Sequence, residues 1–145
     1  YDKSVKLVFE SLGKFSSTLE DYARKVFNEN HVDSEIRQGK RDGAFCSTLS
    51  PKTTPFVLVN FTGKSRDVFT LAHELGHAVH SQAAQDRSIL VQDAPLPLAE
   101  TASTFSELLL YDNLSDKISI LTLKKSNKVF GSINFFLLLK APWTT

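Results

Sequence analysis

The sequence predicts a mainly helical fold with a small β-sheet, and two kinds of pattern support this prediction. Apolar residues recur at intervals of three and four over several long segments, as they do along one face of an α-helix. Between two of these segments lie short runs of branched and aromatic residues, bounded by turn-forming residues, which are typical of strands. A chain of 145 residues is long enough to form one hydrophobic core. We therefore expect an α+β fold in which helices predominate.

Two helices are predicted at the start of the chain. The first has an apolar stripe that ends at Gly13 and consists of Val5, Val8, Phe9 and Leu12. The second is expected to begin at a capping box of Ser17 and Glu20, and its apolar face consists of Leu19, Tyr22, Ala23, Val26 and Phe27. Both helices are expected to build the core and one wall of a cleft.

Two strands are predicted next. Residues 56–59 form an apolar run between Pro55 and a turn region, which indicates a buried strand. Residues 43–46 are a weaker candidate that follows a charged turn. The small side chains of Gly43 and Ala44 would let another backbone approach closely, although an ordinary hairpin explains them equally well.

A third helix is predicted around His73-Glu74-Leu75-Gly76-His77. Its apolar stripe consists of Val68, Leu71, Ala72, Leu75 and Val79, and the histidines lie on a different face. Ser65 is expected as the N-cap, and Asp67 would favour the helix dipole from the first turn. Gly76 costs about 1 kcal/mol inside a helix, so we expect it to permit close approach of another backbone or of a substrate.

The spacing of this pentapeptide indicates a metal site with a base beside it. Residues four apart lie on one helix face with Cβ atoms about 5–6 Å apart, so His73 and His77 could both bind one zinc ion. Glu74 projects about 100° away, which suits a general base better than a ligand. His80 lies about 10 Å along the axis from His73 and cannot share that ion with it. We expect His80 to contact a ligand or face the substrate, although a His77/His80 pair is geometrically possible.

A further glutamate is expected as the third ligand. A metzincin would need a glycine at position 80 and a histidine at position 83, and the chain has neither. Residues 93–97 instead read as a turn into a helix, one face of which presents Glu100, Thr104, Glu107 and Tyr111. Glu100 is the best third ligand, while Glu107 either orients a histidine or is simply exposed. Ser115 is expected to cap another helix that contains Ile118, Leu121, Val129 and Phe130.

Four ordered segments resemble the catalytic core of the M3 (thimet-type) zinc metallopeptidases, in particular the oligoendopeptidase F group. They are residues 39–46, 55–63, 70–80 and 99–105, and the resemblance covers roughly residues 1–130. It implies a zincin-like α+β fold, one zinc ion (Zn2+) per chain, and an endopeptidase that hydrolyses short oligopeptides. It also implies that His73, His77 and Glu100 bind the zinc ion, and that Glu74 is the catalytic base.

The expected reaction is attack of a zinc-bound water on the peptide bond, with Glu74 as the proton acceptor. A peptide substrate could add as an extra strand beside Gly43 and Ala44. Two alternatives stay open. The first is a catalytically incomplete zinc- or peptide-binding fragment, which is favoured because the histidine and tyrosine that are expected downstream in the family to bind the oxyanion are absent here. The second is another HExxH metallopeptidase, of carboxypeptidase type.

The expected organisation is a single catalytic-core fragment of a larger metallopeptidase, residues 1–145, with an atypical C-terminal tail from about 134 to 145. A net charge of +1 gives no reason to expect a nucleic-acid partner. One cysteine, Cys46, cannot form an internal disulfide, which favours a cytoplasmic location; we expect it to be a buried small residue. The longest apolar run, 135–139, is far shorter than the ~20 residues that span a bilayer, so no membrane partner is expected.

Overall fold

The computed structural model describes residues 1–117, apart from the side chains of Ile89 and Val91. By its internal packing the chain divides into Tyr1–Asn113 and Leu114–Thr145, and every contact discussed below lies within the first of these units. The predicted tail from about 134 lies outside the described residues. The mainly helical fold with a small sheet is confirmed.

Two helices, α1 (Asp2–Phe15) and α2 (Ser17–Asn28), pack against each other at the start of the chain. Helix α1 continues through Gly13, where we expected it to end. The expected capping box is absent: Ser16 is the N-cap residue of α2, and the Glu20 carboxylate binds the Arg24 guanidinium one turn later, with a Nε–Oε1 distance of 2.8 Å. An i,i+4 ion pair within α2 therefore occupies the carboxylate that the capping box would have used.

The sheet has three short strands: β1 (Val32–Asp33), β2 (Phe45–Ser47) and β3 (Phe56–Leu58). The central strand β3 pairs with β1 in parallel and with β2 in antiparallel orientation. Strand β1 was not predicted, and β2 begins two residues later than expected. The prediction that β3 is buried is correct only in part, because Phe56 is 37% exposed while Val57 is buried.

Lys40 ties the ends of β1 and β3 together. Its side chain is only 2% exposed, and its ammonium donates hydrogen bonds to the backbone carbonyls of Asp33 at 3.0 Å, Glu35 at 2.7 Å and Val59 at 2.8 Å. The Asp33 carboxylate also accepts from Lys40 at 3.1 Å and from the Arg37 guanidinium at 2.7 and 2.6 Å. The buried ammonium is thus fully surrounded by oxygen acceptors, which is how a buried charge is tolerated.

Helix α3 (Ser65–Ala83) contacts both α1 and α2 and the strands β2 and β3. Its N-cap residue is Lys64, one residue before the expected Ser65. Asp67 stabilises the helix start as expected, and it does so by direct hydrogen bonds: its carboxylate accepts from the Lys64 backbone N–H at 3.0 Å and from the Thr62 N–H and hydroxyl at 2.6 and 2.7 Å. The buried face of α3 includes Leu71, Ala72, Leu75 and Ala78.

After the short helix α4 (Ile89–Gln92), the chain enters α5 (Leu96–Lys117). The predicted turn before α5 and its glutamate-bearing helix are confirmed. Ser115 lies inside α5 and so is not the N-cap residue that we expected; the only proline of α5, Pro97, is in its first turn, where it does not interrupt the helix. Ile118 and the residues beyond it fall outside the described part. In the part of the chain from 1 to 117, no helix has both the length and the apolar character needed to cross a membrane.

Candidate metal centre

Three side chains from two helices converge on one point. His73 and His77 lie one turn apart on α3, with ring centroids 4.9 Å apart and ring planes at 84°. Glu100 of α5 places its Oε2 atom 3.4 Å from His73 Nε2 and 3.8 Å from His77 Nε2. Within the described residues these are the three side chains whose ligand atoms all lie within 4.8 Å of one another. The three residues that the sequence predicted as ligands are therefore neighbours in space.

This donor set fits a zinc ion. Two ligand atoms bound tetrahedrally at about 2.0–2.2 Å lie about 3.3–3.6 Å apart, close to both glutamate–histidine separations. Two imidazoles and one carboxylate also form one of the ligand sets that catalytic zinc sites use, with a fourth position left for water. The Glu100 side chain is 46% exposed, whereas those of His73 and His77 are 27% and 19% exposed, so the carboxylate is the most solvent-accessible of the three.

Glu107 holds His73 from the opposite side of the ring. Its Oε1 atom lies 2.6 Å from His73 Nδ1, and its side chain is 17% exposed. An ionised carboxylate oxygen can only accept, so Nδ1 carries a proton; when the ring is neutral, Nε2 is therefore the unprotonated nitrogen, and it is the one that faces Glu100. The Glu107 hydrogen bond raises the pKa of His73 above its ordinary value, and burial opposes this. Of the two roles considered for Glu107, the geometry favours the one that orients a histidine.

Glu74 is buried beside the ligand group. Only 6% of the residue is exposed, which is rare for a glutamate. The pKa of Glu74 is raised to about 7: burial is the main cause, the His73 charge opposes it, and repulsion from Glu100 and Glu107 adds to it. A carboxylate in such surroundings exchanges a proton near neutral pH, as a general base must.

Cys46 of β2 lies close enough to Glu74 for the carboxylate charge to affect the pKa of its thiol. Burial, followed by the Glu74 charge, raises the pKa of the Cys46 thiol to about 12. The thiol is therefore protonated at neutral pH and is a poor nucleophile. It is less buried than we expected, since the residue as a whole is partly exposed.

His80 is not a member of the ligand group. It lies close enough to lower the pKa of His77, after burial and His73, which are the larger causes. The remaining histidine, His31, lies far from these three in the sequence. Its ring stacks on Phe56 with centroids 3.9 Å apart, and its Nδ1 lies 3.0 Å from the Thr54 carbonyl oxygen.

Gly76 allows α5 to lie directly against α3. A Cβ atom at this position would be 2.7 Å from the Cα atom of Ser103 and 2.9 Å from the Ala102 carbonyl oxygen. Both are backbone atoms, so no alanine fits without a displacement of α5. Of the two uses expected for Gly76, the structure shows close approach of another backbone, and this contact brings Glu100 within reach of the histidines.

Ser103 was missed by the sequence reasoning. It is completely buried, and its hydroxyl lies 2.9 Å from the Glu100 carbonyl oxygen and 3.1 Å from Glu100 Oε2. The signal that could have found it is the spacing of three residues after Glu100, which places a hydroxyl on the same helix face.

Gly43 and Ala44 precede β2 instead of forming part of it. Gly43 has a φ of +85°, and no atom lies within 4 Å of a Cβ built on it. Its carbonyl accepts a hydrogen bond from the Asn60 amide at 2.9 Å. The glycine is therefore required by the left-handed backbone of the turn, and its surroundings are open.

The fold and this site together define a chain of the metallopeptidase class. A histidine pair on one helix, a buried glutamate between them and a carboxylate from a following helix are its distinguishing arrangement. The profile of Peptidase family M3 matches residues 13–124, and the chain belongs to this family.

The chain is similar to longer peptidases. It is 41% identical over 118 residues to the chromosomal oligoendopeptidase F of Lactococcus lactis subsp. cremoris, covering 79% of this chain and 19% of that protein. It is 31% identical over 138 residues to the group B oligopeptidase PepB of Streptococcus agalactiae, covering 94% of this chain and 22% of PepB. The chain thus spans about a fifth of the length of these relatives.

Solved structures support the same fold. A candidate peptidase of Chlamydophila abortus superposes with a TM-score of 0.73 at 32% identity, covering 89% of this chain and 23% of that one. PZ peptidase A, solved with an inhibitor, superposes with a TM-score of 0.69 at 22% identity over 76% of this chain and 20% of that one. At that identity, the second likeness supports the fold alone.

Proposed function

We propose that this chain carries the zinc site of a cytoplasmic endopeptidase that hydrolyses short oligopeptides. The observation that carries the proposal is the reach of Glu100 from α5 to within 3.4 and 3.8 Å of the two imidazole nitrogens on α3. The relatives named as oligopeptidases, among them oligoendopeptidase F, support short peptides as the substrate class.

His73, His77 and Glu100 would hold the zinc ion, and Glu107 would keep the His73 ring in the tautomer that presents Nε2. When bound, zinc supplies a Lewis acid that polarises the scissile carbonyl and lowers the pKa of water towards about 7. Glu74 lies on the same helix as the histidines and takes the proton from the attacking water. It then delivers this proton to the leaving amine, so the carboxylate is restored at the end of the cycle.

Strand β2 is the proposed docking edge for the peptide. It lies at one edge of the described sheet, and it contacts α3, the helix that carries His73, Glu74 and His77. An extended peptide that pairs with an edge strand gains backbone hydrogen bonds whatever its side chains are. Ala44 immediately precedes β2 and is partly exposed, so it would lie beside such a peptide.

The test is cleavage of an internally quenched peptide that is blocked at both termini, together with the zinc content of each variant. Only an endopeptidase cuts such a peptide, which separates this proposal from a carboxypeptidase. Glu74→Gln should retain zinc and lose at least about 10²–10⁴-fold in kcat, because the general base is removed. His77→Ala should lose the zinc itself. Undiminished turnover by Glu74→Gln would contradict the assigned role, and zinc binding without any turnover in the unaltered protein would favour a binding fragment.

Ala44→Phe tests the docking edge. The larger side chain should obstruct a peptide beside β2 and raise KM for several unrelated peptides, while zinc content stays unchanged. A KM equal to that of the unaltered protein for all of them would show that peptides bind elsewhere.

A further inference from the structure

We infer that Ser103 is a positioning residue for the zinc site: its buried hydroxyl holds the Glu100 carboxylate in the orientation that faces both histidines. This inference deepens the proposed function and rests on it. Ser103 would contact neither the metal ion nor the substrate, and would act only through Glu100.

The first argument is the identity of the oxygen atom that Ser103 contacts. Glu100 Oε2 is the atom that lies nearest to both His73 and His77, and it is the same atom that lies 3.1 Å from the Ser103 hydroxyl. The Glu100 carbonyl oxygen, at 2.9 Å, competes for the single proton of that hydroxyl, but an ionised carboxylate is the stronger acceptor. The hydroxyl is thus placed to fix the ligand atom itself.

The second argument is the difference in mobility between the two side chains. Glu100 is 46% exposed and has three side-chain torsions, so without a partner its carboxylate would sample several rotamers. Ser103 is completely buried, and its Cα atom lies against Gly76 of α3. The Ser103 hydroxyl is therefore fixed relative to the helix that carries the two histidines, and its hydrogen bond restricts the flexible Glu100 carboxylate.

Ser106 provides a matched control. It lies one turn further along α5, it is also buried, and its Cβ atom is 2.9 Å from the position of a Cβ on Gly76. It shares with Ser103 the residue type, the helix, the burial and the contact with α3. It differs in lying six residues beyond Glu100. Ser→Ala at the two positions should therefore have similar effects on packing, and only one of them should affect Glu100.

The experiment is a thermodynamic cycle on zinc affinity. The dissociation constant for zinc is measured by competition with a chromophoric chelator for the unaltered protein, Ser103→Ala, Ser106→Ala, Glu100→Ala and the double variant Ser103→Ala/Glu100→Ala. Thermal denaturation of each zinc-free protein reports packing separately. Removal of a group that orients a ligand weakens metal binding about 10–100-fold, and we expect a loss in that range for Ser103→Ala. Ser106→Ala should leave the affinity unchanged, and the double variant should bind zinc as weakly as Glu100→Ala alone.

Two results would overturn this inference while the proposed function survives. One is equal zinc affinity in Ser103→Ala and the unaltered protein. The other is a further loss in the double variant relative to Glu100→Ala, since Ser103 would then act independently of that carboxylate. Failure of the unaltered protein to bind one zinc ion would contradict the proposed function and this inference together.

Discussion

The imidazole of His73 contacts two glutamates of the same helix. Glu107 lies 2.6 Å from Nδ1 and Glu100 lies 3.4 Å from Nε2, so α5 contacts both nitrogens of the ring. The two contacts have different consequences. The first determines which nitrogen carries the proton, and the second brings a carboxylate oxygen beside the other nitrogen, so that both belong to the candidate ligand group. The orientation of this one ring therefore depends on a helix that follows it by more than twenty residues.

Glu107→Ala should weaken zinc binding without removing any direct ligand. Without the hydrogen bond to Nδ1, the His73 ring can rotate and adopt either tautomer. The loss of such an orienting group typically lowers metal affinity about 10–100-fold. Chelator competition measures this loss. Asp112→Ala, which removes an exposed carboxylate from the same helix, controls for the change in net charge and should bind zinc as the unaltered protein does. Equal affinities for both variants would mean that Glu107 does not orient the ligand.

Residues in the site differ in how well the sequence predicts them. His73, Glu74 and His77 are related by helical geometry alone, so their spacing is sufficient to propose a site. Glu100 and Glu107 required the prediction of a second helix, and the family resemblance supported Glu100 alone. Ser103 was missed because a serine three residues after a glutamate is common, and only the contact with Gly76 shows that it is buried. Tertiary packing supplied the information that the local pattern lacks.

At the scale of secondary-structure elements, the contact between α3 and α5 is the one that matters most for the site. Gly76 is unfavourable for helix formation, yet it lies in the middle of α3 beside the candidate ligands. Glycine is needed here despite its conformational cost, because a Cβ atom would lie only 2.7 and 2.9 Å from backbone atoms of α5. The distance between the two helices at this point is thus set by the absence of one methyl group.

Gly76→Ala should destabilise the fold although alanine is the better helix former. Overpacking typically costs about 1–3 kcal/mol and the propensity gain is about 1 kcal/mol, so we expect a net loss of up to about 2 kcal/mol in the free energy of unfolding. Gly13→Ala is the matched control, because its Cβ would meet the tip of the Glu20 side chain, which can move away. Urea denaturation of both variants measures the difference, and a Gly76→Ala protein that is more stable than the unaltered one would contradict the packing argument.

The connection between β1 and β3 predicts a dependence of stability on pH. Hydrogen bonds from Arg37 and Lys40 hold the pKa of Asp33 well below its ordinary value, although desolvation opposes them. A group whose pKa is lowered by folding stabilises the folded state above its unfolded pKa, about 3.9, and that contribution disappears as the pH falls towards the folded pKa. The advantage of the unaltered protein over Asp33→Asn should therefore be largest at neutral pH and shrink below about pH 4. Urea denaturation at several pH values measures this difference, and an advantage that grows on acidification would contradict the assignment.

The elements that the sequence predicted well are the long ones. Each of α1, α2 and α3 contains several turns of apolar periodicity, and their existence follows from local pattern. Helix α5 was predicted differently, from the turn that precedes it and from the helical spacing of its polar residues. Their ends were less accurate, as Gly13, Ser17 and Ser65 show, because caps depend on individual hydrogen bonds. Strands of two or three residues contain too little pattern to be recognised from sequence. Strand β1 forms because Val32 and Asp33 pair with β3, and its own two residues do not predict a strand.

At the scale of the whole molecule, the candidate site joins distant parts of the chain. Its candidate ligand atoms come from α3 and α5, while β2 and the first two helices also contact α3. Burial of Leu71, Leu75 and Leu110 gives these elements a common core. A ligand that bridges the two helices would therefore oppose their separation, so metal binding and global stability should be coupled.

Zinc should raise the thermal stability of the protein by this coupling. A ligand that binds only the folded state adds RT ln(1 + [L]/Kd), about 2.7 kcal/mol when zinc is present at 100 times its Kd. For a chain of this size that corresponds to an increase in Tm of about 8–10 °C. Differential scanning fluorimetry with and without zinc measures the shift, and a chelator should reverse it. Glu74→Gln should show the full shift because it keeps all three ligands, whereas His77→Ala should show almost none. An equal shift in His77→Ala would place the stabilising zinc ion somewhere other than between α3 and α5.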